Sequence, residues 1–72
     1  MKQTYTYYIF TDARNTVISA IAIHQNTDVD SAISDELRNI ASEIRYEMKE
    51  IRHREVSRKI YDSVEIGECY AV

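Results

Sequence analysis

With 72 residues, 44% of them hydrophobic, one Gly and no Pro, the chain reads as one small globular domain and excludes a linker or a low-complexity segment. A single cysteine, Cys69, excludes an internal disulfide, and His24, His53 and Cys69 stand too far apart in sequence for paired metal-ligand spacing. The net charge of −3 argues against non-specific binding of nucleic acid, which needs a broad positive field.

A domain of this size buries only about 60% of the surface of its unfolded chain, so its core needs a supplement. With disulfides excluded and metal ligands scarce, oligomerisation is the option left, and a homodimer is expected. The chain has no run of 18 apolar residues and no signal-peptide pattern, since Met1–Lys2 leads straight into polar and aromatic residues. The lone thiol suits a reducing compartment. These features predict a soluble, cytoplasmic protein with no membrane partner and no cofactor.

Residues 4–24 predict an antiparallel β-hairpin. Thr4 to Phe10 is aromatic and β-branched, with Tyr5, Tyr7 and Ile9 on one face and Thr4, Thr6, Tyr8 and Phe10 on the other. Thr11 to Asn15 supplies Asp and Asn, which tolerate turn geometry and bond to nearby backbone. Thr16 to His24 forms the return strand, with Val17, Ile21 and Ile23 on one face and Ile18, Ala20, Ala22 and His24 on the other.

A helical segment is expected over 30–61. Asp28 or Asp30 is placed to cap it, and the early acids Asp35 and Glu36 suit the positive end of its dipole. On a helical wheel Ile33, Leu37, Ile40, Ala41, Ile44, Met48 and Ile51 fall within about 100° of one another. Arg45, Lys49, Arg52 and Lys59 line one flank of that stripe, and Glu36, Glu43, Glu47 and Glu50 line the other. Glu50–Arg54 and Glu55–Lys59 are favourable pairs at i,i+4.

The stripe shifts after Ile51: Val56, Ile60 and Val64 join Tyr46 on a different side of the wheel. The helix therefore either kinks or ends near His53–Glu55, or continues and offers a second apolar face. Thirty-two helical residues span roughly 48 Å against roughly 27 Å for an eight-residue strand, so the hairpin cannot cover such a helix. It must break, or another chain must cover its far half. Residues 64–72 then form a terminal strand, added to the edge of the hairpin, or a tail. The expected fold is α+β, with a hairpin, a long amphipathic helix and a short third strand in the order ββαβ.

Three surfaces carry candidate chemistry. The stripe of Ile33, Leu37, Ile40, Ile44, Met48, Ile51, Val56 and Ile60 serves as a core or dimer seam, its opposite charge lanes suiting a parallel helix pair as well as a helix lying on its own sheet. Residues 45–59 hold six of the nine basic residues against three acids, and Arg45, Lys49, Arg52, Arg54 and Arg58 are placed to contact an acidic surface or phosphates. Tyr7 and Tyr46 are candidate anchors for a protein partner. The bland alternatives are a helix packed on its own sheet, a solvated basic face and ordinary sheet packing of the tyrosines.

No residue set resembles an active site. Cys69 sits in an apolar tail with no base beside it in sequence, and there is no Gly-rich phosphate loop. The expectation is a non-catalytic protein-binding module, a dimeric accessory or inhibitor protein of phage or plasmid type that blocks a host enzyme or defence complex by occupying its surface. A dimeric nucleic-acid-binding regulator using the basic cluster is the alternative.

Overall fold

The first strand of the chain, β1 (Tyr5–Thr11), lies at the centre of a three-stranded antiparallel sheet, flanked by β2 (Val17–His24) and β3 (Arg52–Val56). Between β2 and β3 the chain forms helix α1 (Val29–Ile44), and after β3 a short helix α2 (Arg58–Ser63). The computed structural model describes residues 4–44 and 50–70. The fold is α+β, with the order ββαβ followed by the short α2.

Local chemistry explains the hairpin. The Asp12 carboxylate accepts hydrogen bonds from the backbone N–H groups of Arg14 (2.8 Å) and Thr16 (2.9 Å), holding the turn closed. Asn15 occupies the left-handed region at φ 64°, which Asn tolerates better than most residues. From Tyr5↔His24 to Phe10↔Ser19 the pairing is regular; between Phe10 and Thr11 the register shifts by a β-bulge.

That bulge corrects the expected faces of β2. Ile18 packs with Ile21 against the cluster around Phe10, while Val17 lines a cleft on the opposite side of the sheet with Ile60 and Val64. An extra residue in one strand reverses the alternation beyond it, so Val17 and Ile18 exchange the sides that strict period two assigns them.

α1 starts where Asp28 caps it. The Asp28 carboxylate accepts from the Asp30 N–H (3.1 Å) and the Ser31 hydroxyl (3.3 Å), and its carbonyl accepts from the Ala32 N–H (3.0 Å). Ile33 and Ile40 point from α1 into a core that also holds Phe10, Ile23 and Ile51, with Tyr8, Val29, Ala32 and Leu37 packed around it. Each fully buried aliphatic or aromatic side chain contributes about 1.5–3 kcal/mol. The proximal stripe packs on the chain's own sheet: Ile33, Ile40 and Ile51 belong to the monomer core and the half-buried Leu37 packs against it. Met48 and the side chain of Ile44 lie outside the described residues.

The helical segment expected over 30–61 is corrected. Residues 52–56, spanning the expected kink, are a strand, and only 58–63 return to helix. Ile9, Phe10 and Thr11 are buried at 0%, 0% and 6% exposure, so their backbone groups on the side away from β2 need partners inside the protein. β3 supplies them by pairing Ile9↔Arg54, Phe10↔His53 and Thr11↔Arg52. A ladder on a buried central strand outweighs the weak helical preference of five residues. The third strand is therefore at 52–56, and residues 64–70 are a tail that meets the start of β2, with an antiparallel bridge at Thr16↔Cys69.

Candidate functional site

The two faces of the sheet are covered unequally. α1 lies over one. On the other, α2 and the tail cover the half nearest the start of β2, and the remainder is open. Ser57 starts α2, its hydroxyl accepting from the Ile60 N–H (3.3 Å). α2 sets Tyr61 against Tyr7, ring centroids 4.8 Å apart. Tyr7 in turn neighbours Tyr5 at 6.3 Å, and Tyr5 meets the His24 ring edge-on at 5.3 Å. Within the sheet Tyr5 pairs with His24 and Tyr7 with Ala22, so all these side chains leave the same face.

The result is an aromatic surface of Tyr5, Tyr7, Tyr61 and His24, with the small Ala20 and Ala22 forming a flat shelf beside it on β2. Tyr5 is 38% exposed and Ala22 is also open to solvent. Rings that combine large apolar area with a polar tip, set on a rigid sheet, are what protein interfaces use as anchors. Tyr7 was expected here from the strand alone. Tyr61 and His24 were not, because they come from distant positions; the shift of the apolar lane after Ile51 was the trace of Tyr61's separate helix.

The basic residues are partly gathered. Arg52 and Arg54 sit two apart on β3, exposed and on one face, and the Arg54 guanidinium lies over the Tyr70 ring at 5.5 Å. Arg58 faces Asp62 at 3.6 Å one helical turn on, both side chains largely exposed. Lys59 is exposed on the same short helix. Arg45, Tyr46 and Lys49 lie outside the described residues. Val56 is buried and Ile60 half-buried, both on the face away from α1, so these two members of the expected seam also serve the chain's own packing.

At the far end, the tail closes over the start of β2. The Val17 N–H donates to the Glu68 carbonyl (2.8 Å), the Gly67 N–H to the Val17 carbonyl (2.7 Å) and the Tyr70 N–H to the Asn15 carbonyl (2.9 Å). Gly67 makes the necessary turn at φ 94°, where a side chain is strained. Between tail, α2 and β2 lies a cleft of about 260 Å³ lined in part by Val17, Ile60, Glu65, Glu68 and Cys69. A hydrogen bond with the Glu65 carboxyl, and then its negative charge, raise the Glu68 carboxyl above its ordinary range.

Cys69 is free and exposed, and among the described residues no three His, Cys, Asp or Glu side chains are grouped to hold a metal ion. No helix among the described residues is long and apolar enough to cross a membrane. Compared with models of protein families, with curated proteins and with solved structures, the chain matches none of them.

Proposed function

We propose that this chain is a non-catalytic protein-binding module that works as a homodimer and acts by occupying the surface of a protein partner. The observation that carries this reading is the open aromatic surface of Tyr5, Tyr7, Tyr61 and His24 beside the Ala20–Ala22 shelf. Tyr is favoured in interface anchors because it buries much area at small cost in side-chain entropy. Its rings are held by strands and by α2, so a partner meets a preformed site. In its narrower form the reading is an accessory inhibitor of phage or plasmid type directed at a host enzyme or defence complex, which rests on small size and acidic charge.

The second reading, a nucleic-acid-binding regulator, is favoured by the exposed pair Arg52 and Arg54 on one face of β3, followed by Arg58 and Lys59. It predicts affinity that falls steeply with salt.

One experiment separates the two: capture of partners from host lysate on the tagged protein, with and without nuclease, read by mass spectrometry. The protein-binding reading expects a stoichiometric protein that survives nuclease and is lost with Tyr5→Ala. Loss of all captured material on nuclease treatment, and on charge reversal at Arg52, Arg54 and Arg58, would replace it with the second reading.

A further inference from the structure

The sheet has two edges of opposite character. β3 exposes Arg52, His53, Arg54 and Glu55, and charged side chains on an edge discourage pairing with another chain. β2, with the sequence VISAIAIH, carries no Asp, Glu, Lys or Arg and no Pro. Its Ile18, Ala20 and Ile21 are half-buried and its Ala22 is exposed. An uncharged, β-branched edge of this length is a template for one more strand.

The open part of that edge has defined ends. The Gln25 N–H donates to the Thr4 carbonyl, which by antiparallel alternation turns the backbone groups of Ile23, Ile21 and Ser19 towards β1 and those of His24, Ala22 and Ala20 outward. Val17 already bonds the tail through its N–H and its carbonyl, and the His24 carbonyl accepts from the Thr27 N–H at 2.8 Å. Among the described residues nothing pairs with the outer edge between these limits. The outward N–H and C=O of Ala20 and Ala22 are the centre of the window, and its midpoint is Ile21.

We propose that this edge pairs with the same edge of a second copy, antiparallel about a two-fold axis at Ile21, to give one continuous six-stranded sheet. The inference rests on the homodimer part of the proposed function and names its interface. A two-fold at Ile21 sets Ala20 opposite Ala22 of the other copy, twice. Both alanines turn their backbone groups outward, so each such pair exchanges two hydrogen bonds. A shift by one residue would set an outward residue against an inward one and lose that exchange. Ile21 meets its own counterpart, covering apolar area that the monomer leaves half-exposed, and Ser19 meets the already buried Ile23. The strand carries no formal charge, so two copies of a chain with net charge −3 meet along it without like-charge repulsion within the ladder. The tail and the turn at 25–27 stand outside the paired window at both ends. The aromatic surface of each copy flanks the joined strands on the face away from α1, so dimerisation sets two partner sites on one sheet.

The test is the solution mass by sedimentation equilibrium of the full chain and two variants. Wild type is expected at twice the 8.4 kDa of one chain. The double variant A20K/A22K places lysine opposite lysine twice and is expected to fall to the mass of one chain with its circular dichroism unchanged. A20K/A22E places lysine opposite glutamate in the same register and is expected to return to the mass of two. A monomeric wild type overturns both this interface and the homodimer. A dimeric wild type with a dimeric A20K/A22K keeps the homodimer and overturns the β2 edge, and a monomeric A20K/A22E overturns the register. Isotope-filtered NOEs in wild type, from mixed labelled and unlabelled chains, read the same contact without substitution. Cross-peaks between Ala20 and Ala22 of different chains are expected, and a dimer lacking them overturns the proposal.

Discussion

The rings of Tyr7 and Tyr61 lie 4.8 Å apart at a 41° tilt, joining the central strand to the short second helix. An aromatic pair of this kind adds about 0.5–1.5 kcal/mol beyond the area it buries. Tyr61→Ala is therefore expected to lower stability by at least that much. Tyr5, at 38% exposure, meets the His24 ring edge-on at 5.3 Å and neighbours Tyr7. Tyr5→Ala is expected to cost about 0.5–1.5 kcal/mol of stability and to weaken partner binding by about 2 kcal/mol, roughly 30-fold. Urea denaturation and a binding isotherm on both variants check the division. Unchanged binding by Tyr5→Ala would make Tyr5 a packing residue.

Ser57 offers a test of the break between β3 and α2. Its hydroxyl accepts from the Ile60 N–H at 3.3 Å, so Ser57→Ala is expected to cost about 1 kcal/mol. Were residues 51–61 one continuous helix, the same substitution would stabilise it by a few tenths of a kcal/mol, because Ala is the better interior residue. The sign of the shift in the urea midpoint decides between the two.

α1 is tied to β2 by a polar contact as well as by the core. The Ser19 hydroxyl donates to the Glu36 carboxylate at a half-buried position. A hydrogen bond to a charged group is worth about 1.5–3 kcal/mol when buried and less with water nearby, so Ser19→Ala is expected to cost about 1 kcal/mol. Ile40→Ala, at a position 4% exposed in the main core, is expected to cost about 2–5 kcal/mol. Urea midpoints at unchanged m-value measure both.

Docking of the tail should depend on pH through Glu68. Its carboxyl is raised by the hydrogen bond and the charge of Glu65. A carboxyl raised in the folded state contributes stability that is full below its ordinary range and lost as pH rises through the raised value. Tail docking is therefore expected to be firmest in acid and to loosen towards neutral pH. Amide exchange at Val17 and Tyr70, whose N–H groups bond across the tail contact, reads this after correction for intrinsic rates. Glu65→Gln is expected to flatten the pH dependence; an unchanged profile would remove the Glu65–Glu68 pair as its cause.

Several elements were legible in the residues because their causes are local. Asp12 and Asn15 mark the hairpin turn, Asp28 marks the start of α1, and the spacing of Ile33, Leu37 and Ile40 marks its buried side. β3 was not legible. Its residues Arg52 to Glu55 show no apolar alternation, since an exposed edge strand needs none, and the charge spacings Glu50–Arg54 and Glu55–Lys59 imitate a helix. The bulge between Phe10 and Thr11 was hidden too, because strict alternation has no room for an extra residue. Of the candidate site, Tyr5 and Tyr7 were visible on one face of their strand, whereas Tyr61 and His24 join them only once the chain has folded.

Composition and periodicity alone determined a small α+β domain with a hairpin, one amphipathic helix and too little chain to cover a helix of thirty-two residues. Tertiary structure decided where that helix stops and which elements succeed it. The backbone of Ile9, Phe10 and Thr11 is buried and must be hydrogen-bonded, so residues 52–56 are drawn into the sheet against their own helical spacing. The same event frees α2 to carry Tyr61 back over Tyr7, turning tyrosines scattered along the chain into one surface. Turns, caps and stripes act within a few residues, and sequence displays them. A ladder between residues 7 and 56 is a long-range contact, decided only by what the central strand lacks.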